Sequence, residues 1–178
     1  HAPAFAAEPI ARLPYRFDYG GWLTIQGTVN GQGPYDFIID TGSTLTLAFE
    51  RLNAIHSFAP TGAAPIRVLG ISSERELPTY VLGDVGFGGA VLDDKISVVL
   101  KDWEPPRRTP HGIIGLDFLR EYAVFFNYDA KTIDLYPHGQ IPEDVTEGLS
   151  RIRLEPNDFG AANGVLYTVE GTVNRKVT

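Results

Sequence analysis

The residues best placed to do chemistry are Asp40-Thr41-Gly42-Ser43-Thr44, which follow directly on the apolar run Phe37-Ile38-Ile39. A buried strand that ends on a carboxylate delivers a proton-exchanging group to a defined place. The glycine lets the backbone double back and approach a neighbour closely, and the Thr41 and Ser43 hydroxyls can donate into the turn or to a carboxylate oxygen. Taken alone, the same letters also suit an Asx turn that merely ends a strand. Some 70 residues later, His111-Gly112-Ile113-Ile114-Gly115 again closes an apolar pair with glycine, and Asp117-Phe118-Leu119 follows it.

Other chemistry-bearing residues form no second constellation. The glycine-rich stretch 83–89 (GDVGFGG) lacks the G-x-G-x-x-G spacing and a following helix, so it reads as a turn and not as a phosphate cradle. His1, His56, His111 and His138 are scattered, which predicts no metal site and no cofactor. For His111 a structural role is the first expectation, and approach to the underside of the site, from its place just before Ile113 and Ile114, is the second. Asp93, Asp94 and Asp102 read as solvated loop acids with nothing to select a catalytic pair among them.

The elements that must position these groups are mostly strands. Val, Ile and Thr number 13 each, and 19 Gly with 13 Pro supply tight turns. Strands are expected at 22–29, 35–39, 66–69, 78–82, 95–100, 123–128, 132–136 and 165–173, with hairpin turns at Asn30-Gly31 and Gly88-Gly89. Helical signal is confined to 48–55 and to 117–122, where Asp117 is expected to cap the first turn. The three prolines between Lys101 and Pro110 make that stretch a surface connection.

Leu23-Thr24-Ile25-Gln26-Gly27-Thr28-Val29-Asn30 can be laid over Tyr167-Thr168-Val169-Glu170-Gly171-Thr172-Val173-Asn174 at a constant offset of 144, with five of eight positions identical. Two strands drawing on one small alphabet can coincide by chance. The sharper reading is that a second copy of the first unit begins here. The expected organisation is an N-terminal extension over 1–19, a main lobe over 20–137, a polar linker over 138–150, and over 151–178 either the start of a second lobe or a C-terminal strand segment.

The pairing of Asp40-Thr41-Gly42-Ser43 with the later Ile113-Ile114-Gly115 resembles the retropepsin-like and pepsin-like aspartic proteases. The resemblance extends over about residues 20 to 137, and the closing hairpin from Phe125 to Asp129 and from Ile133 to Tyr136 looks like that of bacterial members. It implies a mainly β, closed-barrel lobe with a ψ-shaped loop (Ile113, Ile114, Gly115) under the catalytic turn, a flap hairpin and one or two short helices. The implied reaction is peptide-bond hydrolysis by a water held between two carboxylates, one of them Asp40. Two like charges about 3 Å apart cannot both ionise, so such a pair shares one proton.

The resemblance also implies that Thr41 ties two such turns together, that Gly42 lets them approach, and that Ser43 hydrogen-bonds the outer oxygen of Asp40. The flap would span 66–81 with Gly70, Ile71 and Ser72 near its tip; Tyr80 falls at the hairpin's base and is not matched to the pepsin flap tyrosine. The partners implied are an extended polypeptide substrate and a source of the second aspartate, either a homodimer mate or a second lobe of the same chain. The alternative is a peptide-binding or structural domain that has the fold without the hydrolysis.

Composition narrows the rest. With 15 Lys plus Arg against 22 Asp plus Glu, the net charge of −7 argues against nucleic acid and acidic membranes as partners. The absence of cysteine excludes disulfides, thiolate metal sites and a thiol nucleophile. No run approaches 18 apolar residues, so no membrane span is expected. The Ala-rich start, HAPAFAAEP, suits the mature side of a removed signal peptide, which predicts an extracytoplasmic, periplasmic or secreted location.

Overall fold

The computed structural model describes residues 8–69, 74–103, 109–150, 152–158, 165–169, 172–173 and 176–177. The chain runs through β1 (Ala11–Asp18), β2 (Trp22–Val29), β3 (Gln32–Ile39), β4 (Leu47–Phe49), α1 (Glu50–His56), β5 (Ala59–Pro60), β6 (Ile66–Leu69), β7 (Glu74–Leu77), β8 (Thr79–Phe87) and β9 (Ala90–Leu100). It continues through β10 (Gly112–Ile114), α2 (Leu116–Leu119), β11 (Ala123–Asn127), β12 (Thr132–Tyr136), α3 (Glu143–Thr146), β13 (Glu155–Asp158), β14 (Val165–Thr168), β15 (Thr172–Val173) and β16 (Lys176–Val177).

Ten strands form one sheet in the order β11-β12-β1-β2-β3-β10-β4-β9-β8-β5, and an added pairing of β2 with β8 closes β2, β3, β10, β4, β9 and β8 into a six-stranded barrel. Closure removes the open edges of those strands. The turn Asn30-Gly31 joins β2 to β3 with both residues left-handed (φ 50° and 73°), the geometry that matches strand twist in a two-residue hairpin. Asn30 also closes the barrel seam: its Nδ2 donates to the Leu82 carbonyl (3.1 Å) and its Oδ1 accepts from Asp84 N–H (3.0 Å).

Apolar strands without alternation are the ones covered on both faces. Thus β10 lies parallel to β3 (Ile113↔Ile38, Ile114↔Ile39) and antiparallel to β4 (Ile113↔Leu47), inserted between two strands that are near neighbours in sequence. That insertion makes the ψ-shaped crossing. Inside the barrel, Phe37, Phe87 and Phe118 meet edge to face at 5.1 and 5.0 Å between centroids. On the other face of the sheet, Leu47, Phe49 and Val98 form a second cluster, covered by Ile66, Val68 and Leu77 of the β6–β7 hairpin and by Trp103.

Several expectations need correction. Residues 11–18 are not an extension: Ala11 to Pro14 pair with β12 and Tyr15 to Asp18 with β2. Pro14 disguises the strand in the sequence, and it stands where the strand changes partner. The strand expected at 165–173 is divided between β14 and β15, whereas its counterpart Leu23 to Val29 lies in one strand. A third helix, α3, falls within the stretch expected to be a linker. The connection after Lys101 is anchored at its far end, where Thr109 is fully buried and its carbonyl accepts from the Arg51 guanidinium. Asp102 is a helix ligand and not a free loop acid, accepting from Arg51 N–H in the first turn of α1 (3.1 Å).

Candidate active site

Strand β3 carries Asp40 out of the barrel, and the residues that follow turn back at once. Asp40 N–H donates to the Ile114 carbonyl (3.0 Å), and Ser43 N–H donates to the Asp40 carbonyl (3.1 Å), closing a four-residue turn. Gly42 N–H donates to Asp40 Oδ1 (2.8 Å), so the carboxylate is oriented by its own turn. Asp40 and Ser43 are half-buried while Thr41 and Gly42 are exposed. The start of α2 clamps the turn a second time, because Leu116 N–H donates to the Ser43 carbonyl (2.8 Å).

Asp40, Thr41, Gly42 and Ser43 are therefore brought together with Ile113, Ile114 and Gly115, as the resemblance implies. Gly115 is needed for space: a Cβ there would stand 2.5 Å from the Leu45 carbonyl carbon and oxygen. Ser43 differs from the expectation. Its hydroxyl donates to the Leu45 carbonyl (2.8 Å), which fixes the exit of the turn, and not to Asp40. Gly70, Ile71 and Ser72, expected at the flap tip, lie outside the described residues.

Beneath the turn is a polar group that sequence reasoning missed. Asp117 does not cap α2, whose N-cap is Gly115 with no side-chain bond. Its Oδ1 instead accepts from both Thr46 N–H and Thr46 Oγ1 (2.7 Å each), and its Oδ2 is paired with the Lys95 ammonium. Thr46 Oγ1 in turn accepts from Gly115 N–H (3.1 Å). The only available signal was the hydroxyl at the end of Asp40-Thr41-Gly42-Ser43-Thr44-Leu45-Thr46, which needs a partner once buried.

A second polar cluster ties β3 to the start of β10. His111 N–H donates to the Asp36 carbonyl (2.8 Å), and Asp36 N–H donates to His111 Nδ1 (3.1 Å), so the ring must be neutral with its proton on Nε2. Burial, aided by nearby Arg51, holds the His111 pKa below the usual histidine value against the opposing pull of Asp36 and Asp102. Tyr19 OH donates to Asp36 Oδ2 (2.6 Å) and Arg16 pairs with Asp36 Oδ1 (2.6 Å). Burial pushes the Asp36 carboxyl upward, but these two donors outweigh it and leave the pKa below the ordinary value. Tyr19 is pushed up to about 12, first by burial and then by that bond. His111 thus holds the strands that carry the site, some way from Asp40 along β3.

An open, mainly apolar groove adjoins Thr41 and is lined by Leu116, Leu119, Val124, Phe126 and Tyr167, together with Arg120 and His138. Among the described residues, no three His, Asp or Glu side chains stand close enough to hold a metal ion, and no helix is long and apolar enough to cross a membrane.

A closed six-stranded barrel, crossed by a ψ-shaped strand at whose mouth β3 presents Asp-Thr-Gly-Ser, defines the retropepsin-like class of aspartic protease folds. The family model described as aspartyl protease matches residues 25–118, which is over half of the chain and contains both motifs. The chain belongs to the aspartyl protease family. It is similar in structure to a retropepsin-like aspartic protease from Rickettsia conorii, with a TM-score of 0.50 and 15% identity over 71% of this chain and 90% of that one. The retroviral protease-like domain of Ddi1 from Leishmania major gives a TM-score of 0.41 and 15% identity over 67% of this chain and 95% of that one. No curated protein matches the chain in sequence.

Proposed function

We propose that this chain is one catalytic lobe of an aspartic endopeptidase, in which Asp40 supplies one of two carboxylates that activate a water for attack on a peptide bond. The observation that carries the reading is the presentation of Asp40: a carboxylate held by Gly42 N–H, on a half-exposed turn clamped from below at Ile114 and Leu116. That fixes the group in place and leaves its upper side open to a substrate, the arrangement acid–base catalysis needs.

One such turn is half a catalyst, so the second aspartate comes from another copy of the chain or from a second lobe. Exposed Thr41 and the apolar groove beside it support a partner on that side. The resemblance of 167–174 to 23–30 supports a second lobe that begins within 151–178. The substrate is an extended polypeptide lying as a strand between the Asp40 turn and the β6–β7 hairpin, with that hairpin acting as the flap and Gly70, Ile71 and Ser72 at its tip.

Asp40→Asn tests the reading. Cleavage of fluorescently labelled casein should fall to background in the variant, and retained cleavage refutes the role of Asp40. Should neither protein cleave while both bind casein peptides equally well, the chain is a peptide-binding domain. Sedimentation velocity of the unaltered chain separates the two sources of the second carboxylate, a dimer supporting the homodimer and a monomer the second lobe.

A further inference from the structure

The β9 hairpin strand carries an inversion of the usual burial order. Ile96 is 53% exposed, while the side chain of Lys95 beside it is only 11% exposed and reaches inward to Asp117, itself 12% exposed. Withdrawing an ammonium and a carboxylate from water costs more than packing two apolar side chains in the same space, so such a pair is not explained by stability alone. Its bonding suggests what it does. The two lone-pair directions of Asp117 Oδ1 are both used by Thr46, through N–H and Oγ1, and Oδ2 is given to Lys95. Thr46 is fully buried, and its hydroxyl both donates to Asp117 and accepts from Gly115 N–H, which leaves it a single orientation.

Thr46 is joined to the Asp40 turn by a segment with no slack. Ser43 Oγ is bonded to the Leu45 carbonyl, Gly115 lies directly against the Leu45 backbone, and Leu116 N–H holds the Ser43 carbonyl. A displacement of Thr46 must therefore pass to Ser43 and to the turn that orients Asp40. We propose that Lys95 is a positioning residue for Asp40: by neutralising and orienting Asp117, it fixes Thr46 and through it the catalytic turn. This rests on the protease reading. Without Lys95, Asp117 Oδ2 is left buried and uncompensated, and the ionised carboxylate can meet its needs only by rotating toward water. That rotation carries Oδ1 away from Thr46 and disturbs both bonds. Removing the charge at Asp117 as well should relieve the disturbance, because an asparagine amide oxygen still accepts from Thr46.

Lys95→Met and the double variant Lys95→Met/Asp117→Asn are made in the full chain, and casein cleavage is measured well below each variant's Tm. Lys95→Met should lose at least about tenfold in kcat with KM within about twofold, and the double variant should recover at least about threefold of that loss. Backbone amide spectra of the same proteins follow the turn directly, with the Gly42 and Ser43 signals displaced in Lys95→Met and returning toward their original positions in the double variant. A folded Lys95→Met with unchanged kcat and unchanged Gly42 and Ser43 signals overturns the proposal. So does a double variant no more active than Lys95→Met, since Lys95 would not then be acting through Asp117. If the unaltered protein cleaves nothing while those amide signals move as stated, the protease reading fails and the positioning role stands. If Lys95→Met yields too little folded protein, Lys95→Gln replaces it with the same expected and refuting results.

Discussion

Gly115→Ala isolates the closeness of the two clamped segments from every other property of the site. The backbone at Gly115 (φ −105°, ψ −173°) is extended and open to any residue, so alanine brings no torsional strain. What it brings is a methyl group 2.5 Å from the Leu45 carbonyl carbon and oxygen and 2.8 Å from Leu45 N. Carbon atoms in contact sit about 3.5–4.0 Å apart, and the obstacle is backbone that cannot rotate aside, so the crossing strand and the turn must separate by roughly 1 Å. Gly115 N–H to Thr46 Oγ1, already 3.1 Å, is then lost, and Leu116 N–H to the Ser43 carbonyl (2.8 Å) is stretched. Two weakened hydrogen bonds at about 0.5–1.5 kcal/mol each and overpacking at about 1–3 kcal/mol give a destabilisation of roughly 2–6 kcal/mol. At about 2–4 °C per kcal/mol for a chain of this size, Tm should fall by roughly 4–24 °C. Gly42→Ala is the matched comparison. Its methyl group would meet only Asp40 Oδ1, at 3.1 Å, on an exposed turn. That substitution should leave Tm within about 2 °C while displacing the carboxylate from Gly42 N–H and lowering casein cleavage. Thermal melts of the two variants decide the matter. A Gly115→Ala protein within 1 °C of the unaltered chain, or a Gly42→Ala protein as unstable as Gly115→Ala, refutes the argument that the Leu45 contact is what the glycine serves.

Three further outcomes are expected. His111 accepts Asp36 N–H only while neutral, and its pKa lies below the usual histidine value, so the folded state binds fewer protons than the unfolded chain; its contribution to stability is complete above about pH 6.5 and is lost as pH falls through the folded value. His111→Asn retains an acceptor that does not titrate, so its Tm should fall less than that of the unaltered protein between pH 7.5 and 5, and parallel curves would sink this account. Ser97 Oγ is buried with no hydrogen-bond partner among the described residues, and Ser97→Ala should raise Tm by about 2–4 °C, corresponding to roughly 1 kcal/mol of relieved desolvation; a lower Tm shows that the hydroxyl has a partner. The two tryptophans, Trp22 and Trp103, lie 6.4 Å apart, and Trp103 packs on the cluster under the β6–β7 hairpin. Their emission should change when Asp40→Asn is titrated with a casein peptide and lose most of that response in Trp103→Phe; calorimetric binding without an emission change places the bound chain elsewhere.

Much of the barrel was legible because its strands are bounded by residues with local meaning. The strands at 22–29, 66–69 and 132–136 end where expected, since Asn30-Gly31 and the neighbouring prolines and glycines can do little but turn. The meeting of Asp40-Thr41-Gly42-Ser43 with Ile113-Ile114-Gly115 was legible only through the resemblance, since neither motif names its partner by itself; in the structure the two apolar runs lie side by side and each covers the other. Asp117 was misread because a local rule and a distant partner competed for one carboxylate. At a helix start an aspartate usually serves the first free N–H groups, but Thr46, 71 residues away, offers two donors in a space where nothing else can satisfy them.

Lys95 could not have been found by any local rule, and the cause is a change of register. In Asp93-Asp94-Lys95-Ile96, simple alternation turns Ile96 to the core and Lys95 to water. The β8–β9 ladder is irregular here, with shifts between Val81 and Gly83 and between Gly83 and Val85, and Asp94 opposite them is left-handed at φ 46°. A bulge advances one strand against the other and exchanges the faces of every residue beyond it. Here the exchange sends the isoleucine outward and brings the ammonium beneath the Asp40 turn. The bulge is thus the feature that gives Asp117 its partner, and simple alternation without it leaves Lys95 in solvent and Asp117 to its helix. The same reasoning predicts where positioning charges should be sought in other closed barrels, in the residues just past an irregular pair on the hairpin that faces the crossing strand.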